Sequence, residues 1–223
     1  MEVPRLTISQ LASYVDHTLL QPAAKREDID RLCREALEYK TASVCISPSY
    51  VAQASELLEG RIPVCTVVGF PLGAASTAAK RFETKDALSA GASEIDMVIH
   101  IGRLKDGDFA YVHREISALK AVCEGRVLKV IVETCLLTRQ EKIKCCRIVG
   151  EAGADFIKTS TGFSTGGATF EDIELMHRHL PSHVKIKASG GIRSLEDMEM
   201  FIRLGASRLG TSSAIRLFRS ASL

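Results

Sequence analysis

No apolar run in this 223-residue chain approaches the roughly 18 residues that a membrane-spanning helix needs, which argues against a helical membrane protein. The opening stretch MEVPRLTISQLASYVDHTLL has no basic segment followed by a continuous apolar core, so it does not read as an export signal. Nor is there a block of one charge. The formal net charge is +2, with lysines and arginines interleaved among the acids. That distribution gives no support to nucleic-acid binding, yet it leaves room for a small anion. Cysteine occurs at seven positions, an odd number, without a single C-x-x-C pair. A disulfide framework and a structural zinc site are both disfavoured, and a reducing cytoplasm suits the thiols. His177, His179 and His183 crowd together in HRHLPSH, but their spacing fits a helix end and a loop better than a set of metal ligands. No linker rich in proline, glycine or serine divides the chain. The expectation is a soluble cytoplasmic protein with one domain over residues 1–223, no metal, no cofactor and no nucleic-acid or membrane partner. A homo-oligomer, by default a dimer, is the expected assembly.

What the chain does contain is alternation. Short β-branched runs at 15–18, 43–46, 64–68, 94–99, 128–133, 155–159, 185–189 and 208–211 read as strands, with segments of helical period between them. Thr138 and Glu141 form a capping box, Ser47 with Pro48 and Ser194 start further helices, and Ile29, Leu32, Cys33, Ala36 and Leu37 share one apolar face. Adjacent Cys145 and Cys146 point in different directions on a helix, so at least one of them belongs in the core. The segments SAGASEI, GEAGADF and RLGASRL repeat one signal, a glycine that ends a helix just before the next strand. Repeated strand–helix units of this length predict a single (β/α)8 TIM barrel; an open doubly wound sheet is the alternative.

In such a barrel the C-terminal strand ends face the active site. They carry Asp16, His17 and Thr18, then Cys45, Asp96, Glu133, Lys158 and Lys187, and finally Ser212 and Ser213. Asp96 and Lys158 interrupt apolar strands, where an unpaired charge costs several kcal/mol. A structural ion pair is the bland explanation. Lys158 and Lys187 occupy equivalent places in successive units, so adjacent strands hold them roughly 5 Å apart. Burial and a neighbouring ammonium lower a lysine pKa, and a neutral amine attacks an aldehyde to form an iminium that permits C–C cleavage, with Asp96 moving protons. The glycine-rich loops STGFSTGG, SGGIR and GTSSAI present backbone N–H groups where barrels of this kind bind phosphate. A Schiff-base aldolase, a phosphate-binding isomerase working by proton transfer alone, and a non-catalytic sugar-phosphate sensor all fit the pattern. The activated amine separates the first from the others.

The series DHTLLQP, SVCISPSYV, TVVGFPLG, EIDMVI, KVIVET, FIKTSTGFSTGGAT, KASGGIR and LGTSS resembles, in order and over nearly the whole chain, the deoxyribose-phosphate aldolase family. The resemblance implies a metal-independent class I aldolase that reversibly cleaves 2-deoxy-D-ribose 5-phosphate to D-glyceraldehyde 3-phosphate and acetaldehyde. It implies Lys158 as the Schiff-base residue, with Asp96 and Lys187 as the proton donor and acceptor pair. Asp16, Thr18 and Cys45 match substrate-pocket positions. Thr161, Gly162, Gly190, Gly191, Gly210, Thr211, Ser212 and Ser213 match the phosphate cradle. Ser47 and His100 stand where asparagine is common, Phe163 stands where some members have lysine, and the tail RLFRSASL lacks the tyrosine that some members carry.

Overall fold

The structure, a computed structural model, describes residues 5–221, so the ends of the domain expected over 1–223 lie outside the described residues. Eight parallel strands follow one another in sequence and close on themselves: β1 Val15–Leu19, β2 Ser43–Ile46, β3 Val64–Val68, β4 Glu94–Val98, β5 Val127–Ile131, β6 Phe156–Lys158, β7 Lys185–Ser189 and β8 Ala206–Thr211. Closure is made by β8 on β1, with Asp16 opposite Gly210. The open sheet is thereby excluded. Helices α1 Ile8–Ala12, α2 Arg26–Tyr39, α3 Val51–Leu58, α4 Thr77–Ser89, α5 Ile101–Lys105, α6 Phe109–Val122, α7 Arg139–Glu151, α8 Phe170–His179, α9 Leu195–Arg203 and α10 Ala214–Ala221 connect or flank them. No described helix is long and apolar enough to cross a membrane.

Local chemistry accounts for the helix starts. Thr138 and Glu141 exchange hydrogen bonds at α7, and Ser194 and Asp197 do so at α9, each satisfying N–H groups that the first turn leaves free. A capping box of the same kind, Thr7 with Gln10, opens α1, an element the strand-and-helix reading passed over. Gly91, Gly153 and Gly205, at the three repeated turns, have φ of 107°, 76° and 113°, which a side chain resists. Pro48–Tyr50 form a 3-10 turn ahead of α3, and Ser47 makes no side-chain cap there. The fifth strand ends before its expected limit because Glu133 has a left-handed backbone (φ 56°) and cannot extend the strand. Cys145 and Cys146 are both buried.

Period-two alternation separates two interiors. Val15, Val44, Ile46, Ile95, Met97, Leu128, Val130, Ile157, Ile186 and Leu209 point outward into one large apolar layer beneath the helices. Inside the barrel the apolar cluster is small, Cys45, Cys65 and Val67 with Leu20 and Phe70 against it. Asp16, Glu94, Asp96, Lys129, Lys158, Lys187 and Arg208 bring charge into the same interior.

Candidate active site

The ladder fixes which charges meet. Asp96 lies opposite Lys129 across β4 and β5, Lys158 opposite Lys187 across β6 and β7, and Lys187 opposite Arg208 across β7 and β8. Asp96 is the hub. Its Oδ2 accepts hydrogen bonds from Lys158 Nζ and Lys187 Nζ, both at 2.7 Å. Its Oδ1 accepts from Lys129 Nζ at 2.8 Å and from Cys65 Sγ at 3.1 Å. Asp16 pairs with Lys187 and Arg208, each at 2.5 Å, and Glu94 pairs with Lys129 at 2.6 Å and Arg208 at 3.0 Å. The cluster thus sets the cations Lys129, Lys158, Lys187 and Arg208 against the carboxylates Asp16, Glu94 and Asp96, one more cation than carboxylate.

Burial penalises the charges of Asp16, Asp96, Lys129, Lys187 and Arg208, and their partners decide the outcome. Burial alone would raise the Asp96 carboxyl, but Lys129, Lys158 and Lys187 hold it well below the usual carboxylate range. Asp16 is treated likewise by Lys187, Lys129 and Arg208. Burial would push Lys187 down, yet Asp16 and Asp96 hold it above the lysine range; Lys129 is raised in the same way by Asp96, Cys65, Asp16 and Glu94. The Cys65 thiol is raised by burial, by its hydrogen bond with the Cys45 thiol and by Asp96, while that same hydrogen bond lowers Cys45. Two ligand triads, Cys45–Cys65–Asp96 and Asp16–Cys65–Glu94, bring their donor atoms within 4.8 Å of one another. Their carboxylates are already engaged by ammonium or guanidinium groups, which a metal ion would have to displace.

Above the cluster a cavity of about 260 Å³ opens at the C-terminal ends of the strands. Lys158 lines it, whereas Lys129 and Lys187 do not. Lys158 also has one carboxylate within ion-pair distance, against two for Lys187 and three for Lys129. Thr18, Thr161, Gly162, Gly190, Gly191, Gly210, Thr211, Ser212 and Ser213 all line this cavity, so the structure brings the three glycine loops together. Among the described residues, the N–H groups of Gly162, Gly190, Gly191 and Ser212 have no hydrogen-bond partner within the protein. Ser213 N–H instead donates to Thr211 Oγ1 at 3.0 Å, and Thr161 N–H and O–H both turn to Glu133. Gly210 is required by packing: a Cβ there would stand 3.0 Å from Lys187 Cε and 2.9 Å from Ser189 Cβ.

Two expected pocket residues lie elsewhere. Asp16 and Cys45 are wholly buried below the cavity and do not line it, because Lys187 and Arg208 hold the carboxylate and Cys65 holds the thiol. The expectation that two ammonium groups press directly on each other also changes, since the Asp96 carboxylate stands between them. Sequence reasoning missed Lys129, Glu94, Arg208 and Arg193. Lys129 carries the signal that exposed Asp96, a charge inside an apolar strand. Arg193 comes two residues after Gly191, beyond Ile192, and lines the cavity as an exposed cation.

Fold and site together define a (β/α)8-barrel enzyme with a lysine-rich charged interior. A family model described as DeoC/LacD family aldolase matches residues 10–214. The deoxyribose-phosphate aldolase of Clostridium perfringens (strain 13 / Type A) is 55% identical over 210 residues, covering 93% of this chain and 94% of that protein. That of Streptococcus pyogenes serotype M4 is 53% identical over 215 residues and 96% of each. Among solved structures, a deoxyribose phosphate aldolase from Aeropyrum pernix, described as tetrameric, superposes with a TM-score of 0.90 at 36% identity, over 98% of this chain and 94% of that one. The chain belongs to the DeoC/LacD aldolase family.

Proposed function

We propose that this protein is a Schiff-base aldolase that reversibly cleaves 2-deoxy-D-ribose 5-phosphate to D-glyceraldehyde 3-phosphate and acetaldehyde, with Lys158 as the nucleophile. One observation carries the assignment. Of the three lysines that meet at Asp96, Lys158 alone lines the cavity. Attack on a carbonyl needs an unprotonated amine. Lys129 and Lys187 are held as ammonium ions by their carboxylates and are poorly placed for that step.

The Lys158 amine adds to C1 of the open-chain sugar, and the carbinolamine loses water to give an iminium. A base then takes the proton of the C3 hydroxyl, the C2–C3 bond breaks, and its electron pair moves into the iminium to leave an enamine. Glyceraldehyde 3-phosphate departs. Protonation of the enamine at C2 and hydrolysis of the resulting iminium release acetaldehyde and the free amine. Asp96 with Lys187 handles these protons, since Asp96 Oδ2 is shared between Lys187 and the reacting amine. Lys187 also places a fixed positive charge beside the carbon–nitrogen centre as water leaves.

The phosphate belongs at the other end of the cavity, against the free N–H groups of Gly162, Gly190, Gly191 and Ser212 and the Arg193 guanidinium. Free thiols at all seven cysteine positions suit a cytoplasmic setting, and a homodimer is the assembly we assign to this enzyme. Incubation with 2-deoxyribose 5-phosphate, read by acetaldehyde release, tests the reaction. The aldolase reading predicts stoichiometric acetaldehyde and glyceraldehyde 3-phosphate. An isomer without acetaldehyde, or binding without turnover, contradicts it.

A further inference from the structure

The clearest group left unused by this reaction is Glu133, a carboxylate 2% exposed at the exit of β5. Its backbone is left-handed (φ 56°, ψ 67°), a region uncommon for any residue but glycine and most often occupied where the surroundings demand it. The neighbouring peptides are stitched to the end of β6: Val132 N–H donates to Lys158 O at 3.1 Å and Thr134 N–H to Thr159 O at 2.9 Å. Beyond that point the backbone pairing stops and the Glu133 side chain takes over. Its two oxygens each accept from Thr161 N–H at 3.3 Å, and Oε2 accepts from Thr161 O–H at 2.5 Å. Thr161 Oγ1, with its proton committed to Glu133, accepts in turn from Phe163 N–H at 3.1 Å. Apart from Thr161, the Glu133 carboxylate meets only the Cys135 thiol among the described residues, at a long 3.9 Å.

We infer that Glu133 is a positioning residue for substrate binding: its carboxylate stands in for the missing backbone acceptors past β6 and sets the Thr161–Gly162–Phe163 turn, which lines the cavity, in register with Lys158. The inference rests on the reading of that turn as part of the phosphate cradle. A carboxylate is the suitable group because Thr161 presents two donors and no acceptor is otherwise at hand; a carboxamide offers one acceptor oxygen and a competing donor. The choice runs against simple electrostatics. A negative charge close to a phosphate repels it, so a glutamate acting only through its charge would weaken binding, whereas one acting through the turn strengthens it. The two roles therefore predict opposite signs for the same substitution.

The test is steady-state kinetics on Glu133→Gln, Thr161→Val and the double variant, with 2-deoxyribose 5-phosphate and with free 2-deoxyribose. Glu133→Gln is expected to raise KM for the phosphorylated sugar about 5- to 10-fold with kcat within about twofold, the pattern of lost binding common to ground and transition states. For the free sugar kcat/KM stays within about twofold, and the double variant is no worse than the worse single one, as expected of two groups in one contact. An unchanged or lowered KM in Glu133→Gln, or additive losses in the double variant, overturns the inference. Should Glu133→Gln fail to fold, Thr161→Val alone must show the phosphate-selective rise in KM, and its lack would overturn the inference equally. Labelling of Lys158 by acetaldehyde and borohydride is measured alongside. Failure to label the wild-type enzyme would count against the aldolase reading; normal labelling with an unchanged KM would count against Glu133 alone.

Discussion

Two buried sets of charge in this barrel can be compared directly. Lys80 on α4 and Glu115 on α6 form an ion pair at 2.8 Å with both side chains fully buried. Lys80 Nζ also donates to Val98 O at 2.8 Å, and Glu115 accepts from His100 N–H at 3.0 Å, so the pair ties the end of β4 to the helices outside. This set is closed: one cation, one anion, and no opening to the cavity. The Asp96 cluster inside the barrel is unequal in number and opens to the cavity at Lys158. The lysines respond differently. Burial draws Lys80 below the ordinary lysine range and Glu115 offsets it only in part, while Lys187, with two carboxylates, is held above that range. Buried charge by itself is thus no sign of chemistry. The informative features are the number of counter-ions around each ammonium and whether an amine reaches open space.

The comparison breaks first at the closed pair. Lys80→Met leaves Glu115 buried without its partner and should cost about 3 to 5 kcal/mol of stability in denaturant unfolding. Activity per folded molecule should stay within about threefold. A stable Lys80→Met variant that had lost turnover would move the pair into the catalytic set. Next in size is Lys187→Leu, expected to lower kcat about 100-fold by removing the proton partner of Asp96, with acetaldehyde still trapped on Lys158. Near-normal turnover would make Lys187 a structural ion like Lys80. A smaller effect sharpens the division between the two ends of the cavity. Ser212→Asp sets a carboxylate beside free N–H groups and should lower kcat/KM for the phosphorylated sugar about 30-fold while changing the free sugar little. An equal loss on both sugars would mean that this loop supports the amine and does not bind phosphate.

A separate effect, read through pH, concerns buried groups that carry no charge. Burial pushes the Cys33 and Cys123 thiols up to about 11 and Cys146 up to about 12. An unfolded thiol titrates near about 8.5. A folded-state pKa above the unfolded one gives stability that is complete below the unfolded value and is lost as pH rises toward the folded one. The melting temperature should therefore hold up to about pH 8.5 and fall progressively as pH rises from there toward about 11. A flat profile across that window would show that these thiols do not gain their protonated form from burial.

Much of this was legible in the residues. The strand runs, the capping boxes at Thr138 and Ser194 and the glycines closing three helices each depend on local periodicity or local hydrogen bonding, so a single sequence carries them. Asp96 and Lys158 stood out because charge inside an apolar run is costly, and Lys187 because it repeats the place of Lys158. Lys129 has the first mark and Arg208 neither, and the importance of both depends on which strands lie side by side, which is set only when the barrel closes. The depth of Asp16 and Cys45 was equally hidden. Strand-end position placed both residues on the cavity rim, whereas the folded chain buries them completely and leaves them out of the cavity lining. Glu133 looked like a rim carboxylate, and its hold on Thr161 is visible only once the chain has turned left-handed there.

The central claim is that Lys158, and neither of the other two lysines at Asp96, is the amine that reacts. Reduction with borohydride in the presence of acetaldehyde, followed by peptide mapping, tests it most directly. The account predicts one two-carbon adduct, on Lys158, formed in step with loss of activity. An adduct on Lys187 or Lys129, or labelling confined to surface lysines with activity intact, would contradict it.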